Sequence, residues 1–432
     1  MENIHKVLLV LIVVILGASH RNGALCNRTK QRVTVLVSVE EEMDQAFFAH
    51  MPPTSLDVHV WHTESKRLEV TTDNPLQALS LMEAPKLQHL ILHPNAHLRQ
   101  LIVRHCPLDG VAEQFRNLRE LRILKIEQCR LTGTFDLGVL LALHNLTSVS
   151  LEANHITEAS LLVDETVAEP EQPSKLARLD LSSNQIEYFH LDAVRLFPAL
   201  EELSLGRNKL ATFAGGSSTF LPALVMLDVR ENLLTELDLS SCNCSSLLYL
   251  YAIGNRLTSF PVFSDSTVNI KVLDLSNNQL TVPDAQQLQK QQRLTSLLLS
   301  QNAFCSFTTA TETELPSLAR LELYDNQLES LDLRGWKLPA LTQLRVSQNP
   351  LKSIPDDLVA RYPNLTKLTC FCPDVDCTWI QRNAANVRSG NFEMSVAWNG
   401  PKSVGKGYRC VTVPYVGCVR CPFKRTAESE LE

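Results

Sequence analysis

The sequence lacks the short motifs that identify most enzyme sites. In 432 residues there is no G-x-S-x-G, no H-E-x-x-H, no Walker loop and no G-x-G-x-x-G. These absences argue against an α/β-hydrolase, a zinc metalloprotease, a P-loop nucleotidase and a dinucleotide-dependent oxidoreductase. No stretch outside the repeats and cap described below is long enough to hold a catalytic domain. We therefore expect a non-catalytic protein without a cofactor.

Histidine is absent from the second half of the chain, where no residue after His190 is a histidine. His89, His93 and His97 are spaced four apart, which would align three metal ligands on a helix. Pro94 and the strand-like pattern around it argue against a helix there. The sequence therefore predicts surface histidines and no metal site.

Positive charge is not in excess, and long apolar runs are missing. The net charge of -7 disfavours nucleic acid and anionic membranes as partners. The run from Val7 to Leu16 is too short to span a bilayer. Lys6 precedes it and small or polar residues follow through Ala24, which is typical of a secretory signal peptide. We expect a secreted, extracellular protein without a membrane anchor.

A phrase of eleven residues recurs along the chain. Residues 176–186 (LARLDLSSNQI) and 318–328 (LARLELYDNQL) follow the pattern L-x-x-L-x-L-x-x-N-x-L. After one step of 30 residues, its asparagines recur every 23 or 24 residues. They are Asn154, Asn184, Asn208, Asn232, Asn255, Asn278, Asn302, Asn326 and Asn349. The chain is thereby identified as similar to the leucine-rich-repeat superfamily.

Alternation within the phrase predicts a parallel sheet. Leucines two residues apart in a strand point to one face, and the residues between them point to the other. One coil cannot bury its own leucines, so neighbouring coils must stack around a shared core. The asparagine must be buried in the turn that leaves the strand, with its amide bound to backbone groups. The predicted fold is an α/β solenoid, a leucine-rich-repeat horseshoe with a parallel concave β-sheet.

The repeat continues upstream in a less regular form. Residues 121–131 and 98–108 fit it with Cys129 and Cys106 in the asparagine position. Earlier still, apolar pairs recur every 11 residues, which predicts 22-residue coils that are extended on the outer side as well. These pairs are Leu68/Val70, Leu79/Leu81, Leu90/Leu92 and Leu101/Val103. Downstream, residues 161–175 (LLVDETVAEPEQPSK) interrupt the repeats and are expected to bulge out as an acidic loop.

Six of the twelve cysteines lie near the end of the chain, and they predict a cap. An open-ended solenoid exposes the leucines of its last coil, so a cross-linked cap is expected there. In a secreted chain disulfides are favoured over zinc, the alternative for Cys370-x-Cys372 with Cys418-x-x-Cys421. The predicted disulfide cysteines are Cys370, Cys372, Cys377, Cys410, Cys418 and Cys421, and their pairing is open.

The other cysteines are scattered. Cys106 and Cys129 occupy equivalent positions of adjacent coils, where they form either a disulfide or two reduced, buried replacements of asparagine. Cys26 either seals the first coil or reaches another chain. The sequence predicts no disulfide partner for Cys242, Cys244 or Cys305. Four N-x-[ST] sequons predict glycosylation at Asn27, Asn145, Asn243 and Asn364.

The residues between the ladder leucines face away from the core, and some of them are unusually apolar. Met226, Tyr249, Tyr251, Ile253, Val272 and Leu298 stand where other coils carry Ser, Asp or Glu. Contiguous exposed apolar surface typically marks an interface, and tyrosine is enriched in binding hot spots. A polar rim flanks this patch, formed by Arg230, Glu231, Asp228, Asp274, Arg320, Glu322 and Tyr324. We expect a ligand-binding surface here; the alternative is a face adapted only for solubility.

The end of the cap carries a family resemblance. Residues 408–421 (YRCVTVPYVGCVRC) resemble the C-V-P followed by a cysteine pair that closes the repeat domain of the mosquito leucine-rich immune proteins. The resemblance implies a non-enzymatic immune factor of the haemolymph, with a complement-like factor or another leucine-rich-repeat protein as its partner. Two departures stand out: the family's cysteine pair is usually adjacent, whereas two residues separate Cys418 from Cys421, and the long coiled coil is missing.

The predicted organisation has five parts. They are a signal peptide (1–24), an N-terminal cap with weak first coils (25–75), leucine-rich repeats (76–369), a cysteine-rich cap (370–422) and a charged tail (423–432). We expect a secreted recognition protein of innate immunity that binds a protein or microbial ligand through the concave face. The alternative is a secreted adhesion or developmental ligand-binding protein.

Overall fold

The computed structural model describes most of the repeat region and several short segments on either side of it. The described residues are 12–13, 34–39, 57–63, 65–72, 76–110, 112–161, 172–215, 219–370, 379, 393–395, 408–413 and 417–422. They fall into two compact units. The first unit comprises residues 1–210 and 215–224, and the second comprises residues 211–214 and 225–432.

In the first unit, one strand from each coil pairs in parallel with the strand of the next coil. The register keeps the core residues aligned, so that Leu124 lies opposite Val149 and Val149 opposite Leu179. These strands are Thr34–Val39, Asp57–Thr63, Ala78–Met82, Gln100–Arg104, Ile123–Glu127, Ser148–Ser150, Arg178–Asp180 and Glu202–Ser204. Of the predicted signal peptide, only Ile12–Val13 is described, and it pairs antiparallel with Thr34–Val39.

The second unit repeats this arrangement. Leu227, Leu250 and Leu273 stand in one row across neighbouring parallel strands and are almost fully buried. Each such side chain contributes on the order of 1.5–3 kcal/mol through burial. The strands are Met226–Asp228, Tyr249–Tyr251, Val272–Asp274, Ser296–Leu298, Arg320–Glu322, Gln343–Arg345, Lys367–Thr369 and Glu393–Ser395. The predicted parallel-sheet leucine-rich-repeat solenoid is confirmed.

The side of each coil away from this sheet is built from short and varied elements. Its strands are Arg67–Val70, His89–Leu92, Thr132–Asp136, His155–Ser160, Tyr188–His190, Thr212–Ala214, Thr219–Phe220, Asp238–Leu239, Cys242–Asn243, Val262–Phe263, Thr313–Glu314 and Trp336–Lys337. Its helices are the 3-10 turns Ala112–Asn117, Leu137–Ala142 and Leu191–Val194 and the α-helices Ala285–Gln289 and Leu358–Arg361. Arg67–Val70 pairs in parallel with His89–Leu92, which confirms coils that are extended on both sides.

The ladder asparagines bind the backbone of neighbouring coils, as predicted. Asn278 Nδ2 donates to the carbonyls of Leu275 (3.0 Å), in its own coil, and Ala252 (2.9 Å), in the preceding coil. Its Oδ1 accepts from the N–H of Leu257, also in the preceding coil, at 3.0 Å. The two bonds to the preceding coil recur at Asn154, Asn184, Asn208, Asn255, Asn302, Asn326 and Asn349.

A left-handed residue precedes each ladder asparagine and makes the turn out of the strand. Only one of these residues is glycine, Gly254, with φ of 68°. The others have φ between 52° and 57° and are Ala153, Ser183, Arg207, Glu231, Asn277, Gln301, Asp325 and Gln348. Non-glycine residues rarely adopt this conformation. The hydrogen bonds of the following asparagine therefore fix a turn that the local sequence alone does not favour.

Cys106 and Cys129, whose state the sequence leaves open, are free and buried thiols. Cys129 Sγ contacts the carbonyl oxygens of Val103 (3.4 Å) and Glu127 (3.2 Å), so it stands in for part of the asparagine's role. The hydrogen bond between the two thiols, together with burial, raises the pKa of Cys129 well above its ordinary value. A protonated, buried thiol is unreactive.

The predicted C-terminal cap is described only in part. Cys370 is disulfide-bonded, which removes it from the alternative zinc site. Trp379 is buried, and its Nε1 donates to the carbonyl of Pro355 at 3.0 Å. Strands Tyr408–Val413 and Gly417–Pro422 form an antiparallel hairpin. Cys372 and Cys377 lie outside the described residues, and the pairing of the cap cysteines stays a prediction.

Disulfide mapping tests the cap. We expect peptide mass mapping of the protein under non-reducing conditions to find all six cap cysteines oxidised, because disulfides at the end of a solenoid would hold its last coil closed. The buried thiols of Cys106 and Cys129 are the internal control, since they become alkylatable only after unfolding. Release of stoichiometric zinc by a chelator, with the cap thiols then alkylatable, would overturn the disulfide assignment.

In the part of the chain that the structure describes, no helix has the length and apolar character needed to cross a membrane.

Candidate functional site

The side chains that alternate with the buried leucines form rows across the sheet of the second unit. We call this surface the sheet face. Its first row is Met226, Tyr249, Val272, Ser296, Arg320, Gln343 and Lys367. Its second row is Asp228, Tyr251, Asp274, Leu298, Glu322, Arg345 and Thr369. Residues in register on neighbouring strands lie about 5 Å apart, so each row is a continuous strip of surface.

A third row follows the strands, two residues further along each coil. Backbone bonds keep it aligned, such as the bond from Glu231 N–H to the Ile253 carbonyl (2.6 Å) and that from Asn277 N–H to the Ser300 carbonyl (2.8 Å). Its members are Arg230, Ile253, Ser276, Ser300, Tyr324 and Ser347.

The structure brings the predicted apolar residues together. We call them the apolar cluster: Met226, Tyr249, Tyr251, Ile253, Val272 and Leu298. Tyr249 lies in register between Met226 and Val272, while Tyr251 lies in register with Asp274, whose other neighbour is Leu298. All six are half-buried, each with part of its surface still open to solvent. They form a patch across four coils.

Arg230 contacts both Tyr251 of the apolar cluster and the neighbouring carboxylate of Asp228. Its guanidinium pairs with Asp228 (Nη2 to Oδ2, 2.7 Å) and lies 5.2 Å from the centroid of the Tyr251 ring. The hydrogen bond to Asp228 raises the pKa of Arg230 above its ordinary value. The arginine therefore holds the tyrosine ring in place through a cation–π contact.

The predicted site residues Arg320 and Tyr324 belong to a second group on the same face. Arg320 Nε donates to Glu322 Oε1 at 2.8 Å, and Arg345 Nη1 approaches the same oxygen at 3.0 Å. Arg345 also lies 5.5 Å from the centroid of the Tyr324 ring. In the first row, Ser296 lies between Val272 and Arg320, so this charged group adjoins the apolar cluster.

Asp274 has a different position from the one the sequence predicts. It was expected on the polar rim, but its register partners are Tyr251 and Leu298, so it lies within the apolar cluster. It is only 8% exposed, and its Oδ1 accepts from the N–H of Ser276 at 3.1 Å. Burial raises the pKa of Asp274 above its ordinary value, and the nearby charge of Glu322 raises it further. Strand alternation alone could not show which neighbours surround this carboxylate.

The equivalent face of the first unit is mixed in character. Arg104 Nε lies 2.5 Å from Glu127 Oε2, and Lys125 lies 3.7 Å from the same carboxylate. Burial and the neighbouring charges of Asp180 and Glu127 raise the pKa of Glu152. The half-buried Ile102 and Ile123 stand in the same rows, next to these charges.

Three of the four predicted glycosylation sites are described, and they lie outside the rows of the sheet face. Asn243 and Asn364 are exposed, and Asn145 is half-buried with its Oδ1 3.1 Å from Lys175 Nζ. None of these three occupies a row of the sheet face described above, whereas Asn27 lies outside the described residues, as do residues 162–171 of the predicted acidic loop. Glycans at these three positions would leave the apolar cluster uncovered. Occupancy itself stays a prediction.

The three histidines that are spaced four residues apart do not form a metal-ligand row. His89 lies in the strand His89–Leu92, so His89, His93 and His97 do not align on a helix. His93 Nε2 instead lies 2.5 Å from Glu69 Oε1.

A buried disulfide joins Cys242 and Cys244. This pair was not predicted from the sequence, although the C-x-C spacing indicates it.

Comparisons with known proteins agree with the fold. The family model "Leucine Rich Repeat" matches residues 269–290. "Transforming growth factor beta activator LRRC33" of Danio rerio is 29% identical over 181 residues, which is 41% of this chain and 24% of that protein. "Opticin" of Mus musculus is 36% identical over 111 residues, covering 25% of this chain and 32% of that protein. The chain thus spans less than a third of the length of either relative.

Solved structures show the same architecture over nearly the whole chain. The APL1 leucine-rich-repeat domain has a TM-score of 0.59 at 18% identity and covers 91% of this chain and 98% of its own. The LRIM1/APL1C complex has a TM-score of 0.57 at 18% identity, with 92% and 71% covered. At this identity, the likeness shows the leucine-rich-repeat fold and nothing finer.

Proposed function

We propose that this protein is a secreted, non-catalytic recognition protein that binds a protein partner through the sheet face of its second unit, and that it acts in innate immunity. The observation that carries the proposal is the apolar cluster. Six apolar or aromatic side chains, half-buried and contiguous, occupy a sheet face whose other positions are polar or charged. Contiguous apolar surface with a polar rim is typical of protein interfaces.

Several features support a protein rather than a small-molecule partner. The cluster spans four coils, and its tyrosines are rigid anchors of the kind that dominate interface energetics. Arg230 and Arg345 cover tyrosine rings at two places on the face, which reduces the entropy lost when a partner binds. LRIM1 and APL1C, which share this fold, form a complex with each other. That association suggests a second leucine-rich-repeat protein as the partner here, and the family resemblance of the cap adds a complement-like factor as the other candidate.

Mutation of the tyrosine pair tests the proposed surface. We expect Tyr249→Ala with Tyr251→Ala to weaken binding of a partner recovered from body fluid at least tenfold, since truncating an aromatic anchor costs about 2 kcal/mol or more. Secretion and thermal unfolding should be nearly unchanged, because both side chains are only half-buried. Affinity would be measured by biolayer interferometry, and cross-linking mass spectrometry would locate the contact.

The matched control is Gln286→Ala with Gln289→Ala. Both glutamines are exposed on the helix Ala285–Gln289, outside the three rows of the sheet face, so affinity should not change. Normal binding by the tyrosine variant, with cross-links confined to the cap or to residues 161–175, would place the site elsewhere. The immune role is tested separately, because the circulating protein should rise after microbial challenge rather than follow a developmental schedule.

A further inference from the structure

Asp274 is a buried carboxylate that lacks a cation. Among the described residues, no lysine, arginine or histidine forms a salt bridge with it. Its Oδ1 accepts from Ser276 N–H, the Ser276 hydroxyl also bonds to the carboxylate, and Tyr251 and Leu298 flank it in the row. A carboxylate placed among apolar side chains without a cationic partner lowers stability, because its charge has lost hydration and gained no compensating ion pair.

The other buried carboxylates of the same row are compensated. Asp228 pairs with Arg230, and Glu322 pairs with both Arg320 and Arg345. Arg230 offsets part of the charge of Asp274 through space, but its guanidinium is paired with Asp228 and lies against the Tyr251 ring. Among the described residues of this row, Asp274 is therefore the acidic side chain without an ion pair.

We infer that the partner inserts a lysine or arginine side chain into the apolar cluster, with its cationic head on Asp274. This inference rests on the proposed function and names the chemistry of the partner at that same surface. The aliphatic stem of such a residue packs on Tyr249, Val272 and Ile253, while the head group pairs with Asp274. Long basic side chains combine an apolar stem with a charged tip, which is the combination that this patch offers.

Measuring the stability of an Asp274 variant distinguishes an effect of the mutation on binding from an effect on folding. Its pKa in the folded protein is raised by burial above the unfolded value. The stability cost of its charge is therefore absent below the unfolded pKa of about 3.9 and grows as the pH rises through the folded pKa. Asp274→Asn keeps the acceptor for Ser276 N–H and removes the charge. We expect this variant to melt at the same temperature as the wild type or higher at pH 7.

A random peptide library displayed on phage, selected on the full-length secreted protein, tests the inference. We expect the clones that lose binding to the Tyr249→Ala/Tyr251→Ala variant to carry a lysine or arginine next to apolar residues. These clones should bind Asp274→Asn at least tenfold more weakly than the wild type. Asp180→Asn is the matched control, since Asp180 makes the same bond to the N–H two residues on (Ser182, 2.9 Å) in the first unit. It should change affinity less than twofold.

A synthetic peptide from one such clone sharpens the result. Replacing its basic residue by norleucine should weaken binding to the wild type tenfold but leave binding to Asp274→Asn unchanged, because the charge pair is then already lost. Clones that depend on the tyrosines but lack a basic residue, or that bind Asp274→Asn normally, would overturn this inference and leave the proposed function standing. Clones indifferent to the tyrosines, or no enriched clones at all, would count against the proposed function itself.

Discussion

Asn278→Leu is expected to destabilise the second unit by about 3 kcal/mol. Leucine matches asparagine approximately in size but has no donor or acceptor. The Ala252 carbonyl and the Leu257 N–H lose their bonds to the amide, as does the Leu275 carbonyl, and all lie in a buried turn. Each buried backbone group left unsatisfied costs roughly 1–3 kcal/mol. For a unit of this size, the midpoint of thermal unfolding should fall by about 6–12 °C, as measured by circular dichroism.

Asn269→Leu is the control for that change. Asn269 makes one exposed bond, from Nδ2 to the Ser245 carbonyl at 2.8 Å, in the same unit. The same substitution there should cost less than about 1 kcal/mol, because water replaces the lost bond. If both variants melted like the wild type, the ladder asparagines would be dispensable for the stacking of coils.

Phe307→Ala is expected to cost about 3–5 kcal/mol, the range for truncating a buried phenylalanine. Phe307 is 1% exposed, stacks on Trp336 with ring centroids 5.1 Å apart, and meets the edge of Phe304 at 5.7 Å. Trp336 cannot move into the space left, because its Nε1 donates to the Phe307 backbone carbonyl at 3.0 Å and the mutation keeps that bond. A residual cavity therefore remains.

An exposed phenylalanine provides the comparison for this second variant. Phe220 is 56% exposed, so Phe220→Ala should shift the free energy of unfolding by no more than about 0.5 kcal/mol. Thermal unfolding would be followed by circular dichroism and by tryptophan fluorescence. Equal melting temperatures for Phe307→Ala and the wild type would show that the outer side of the coil repacks freely and that this aromatic group does not fix it.

The repeat phrase was sufficient to predict the parallel sheet, the buried leucines and the role of the asparagines. The period of the repeat determines which residues recur in each coil. A buried amide needs hydrogen-bond partners, which leaves few possible arrangements of the turn that carries the asparagine. The far side of the coils was less predictable, since corresponding stretches of successive coils form a strand at Val262–Phe263 and a helix at Ala285–Gln289. Elements of so few residues give only a weak sequence signal, because propensities add up to little over a short segment.

For the candidate site, the sequence predicted the members of the apolar cluster but not their arrangement. Period-two alternation shows that Tyr251 and Leu298 point away from the core. The shared position four residues before Asn255, Asn278 and Asn302 places Asp274 between them, but it does not show that the carboxylate is buried without an ion pair. Nor does it show that Arg230 is held by Asp228, since the choice of ion partner depends on side-chain geometry.

The solenoid follows from the repeat pattern, because a strict repeat of leucines and asparagines can bury both only by stacking coil upon coil. Which charges are compensated follows instead from the packing of the coils. Glu322 gains two arginines from its own and the next coil, whereas Asp274 gains none, although both are acidic residues at the same position of the repeat. That difference arises because an ion pair depends on distances between coils, which a one-dimensional pattern does not contain.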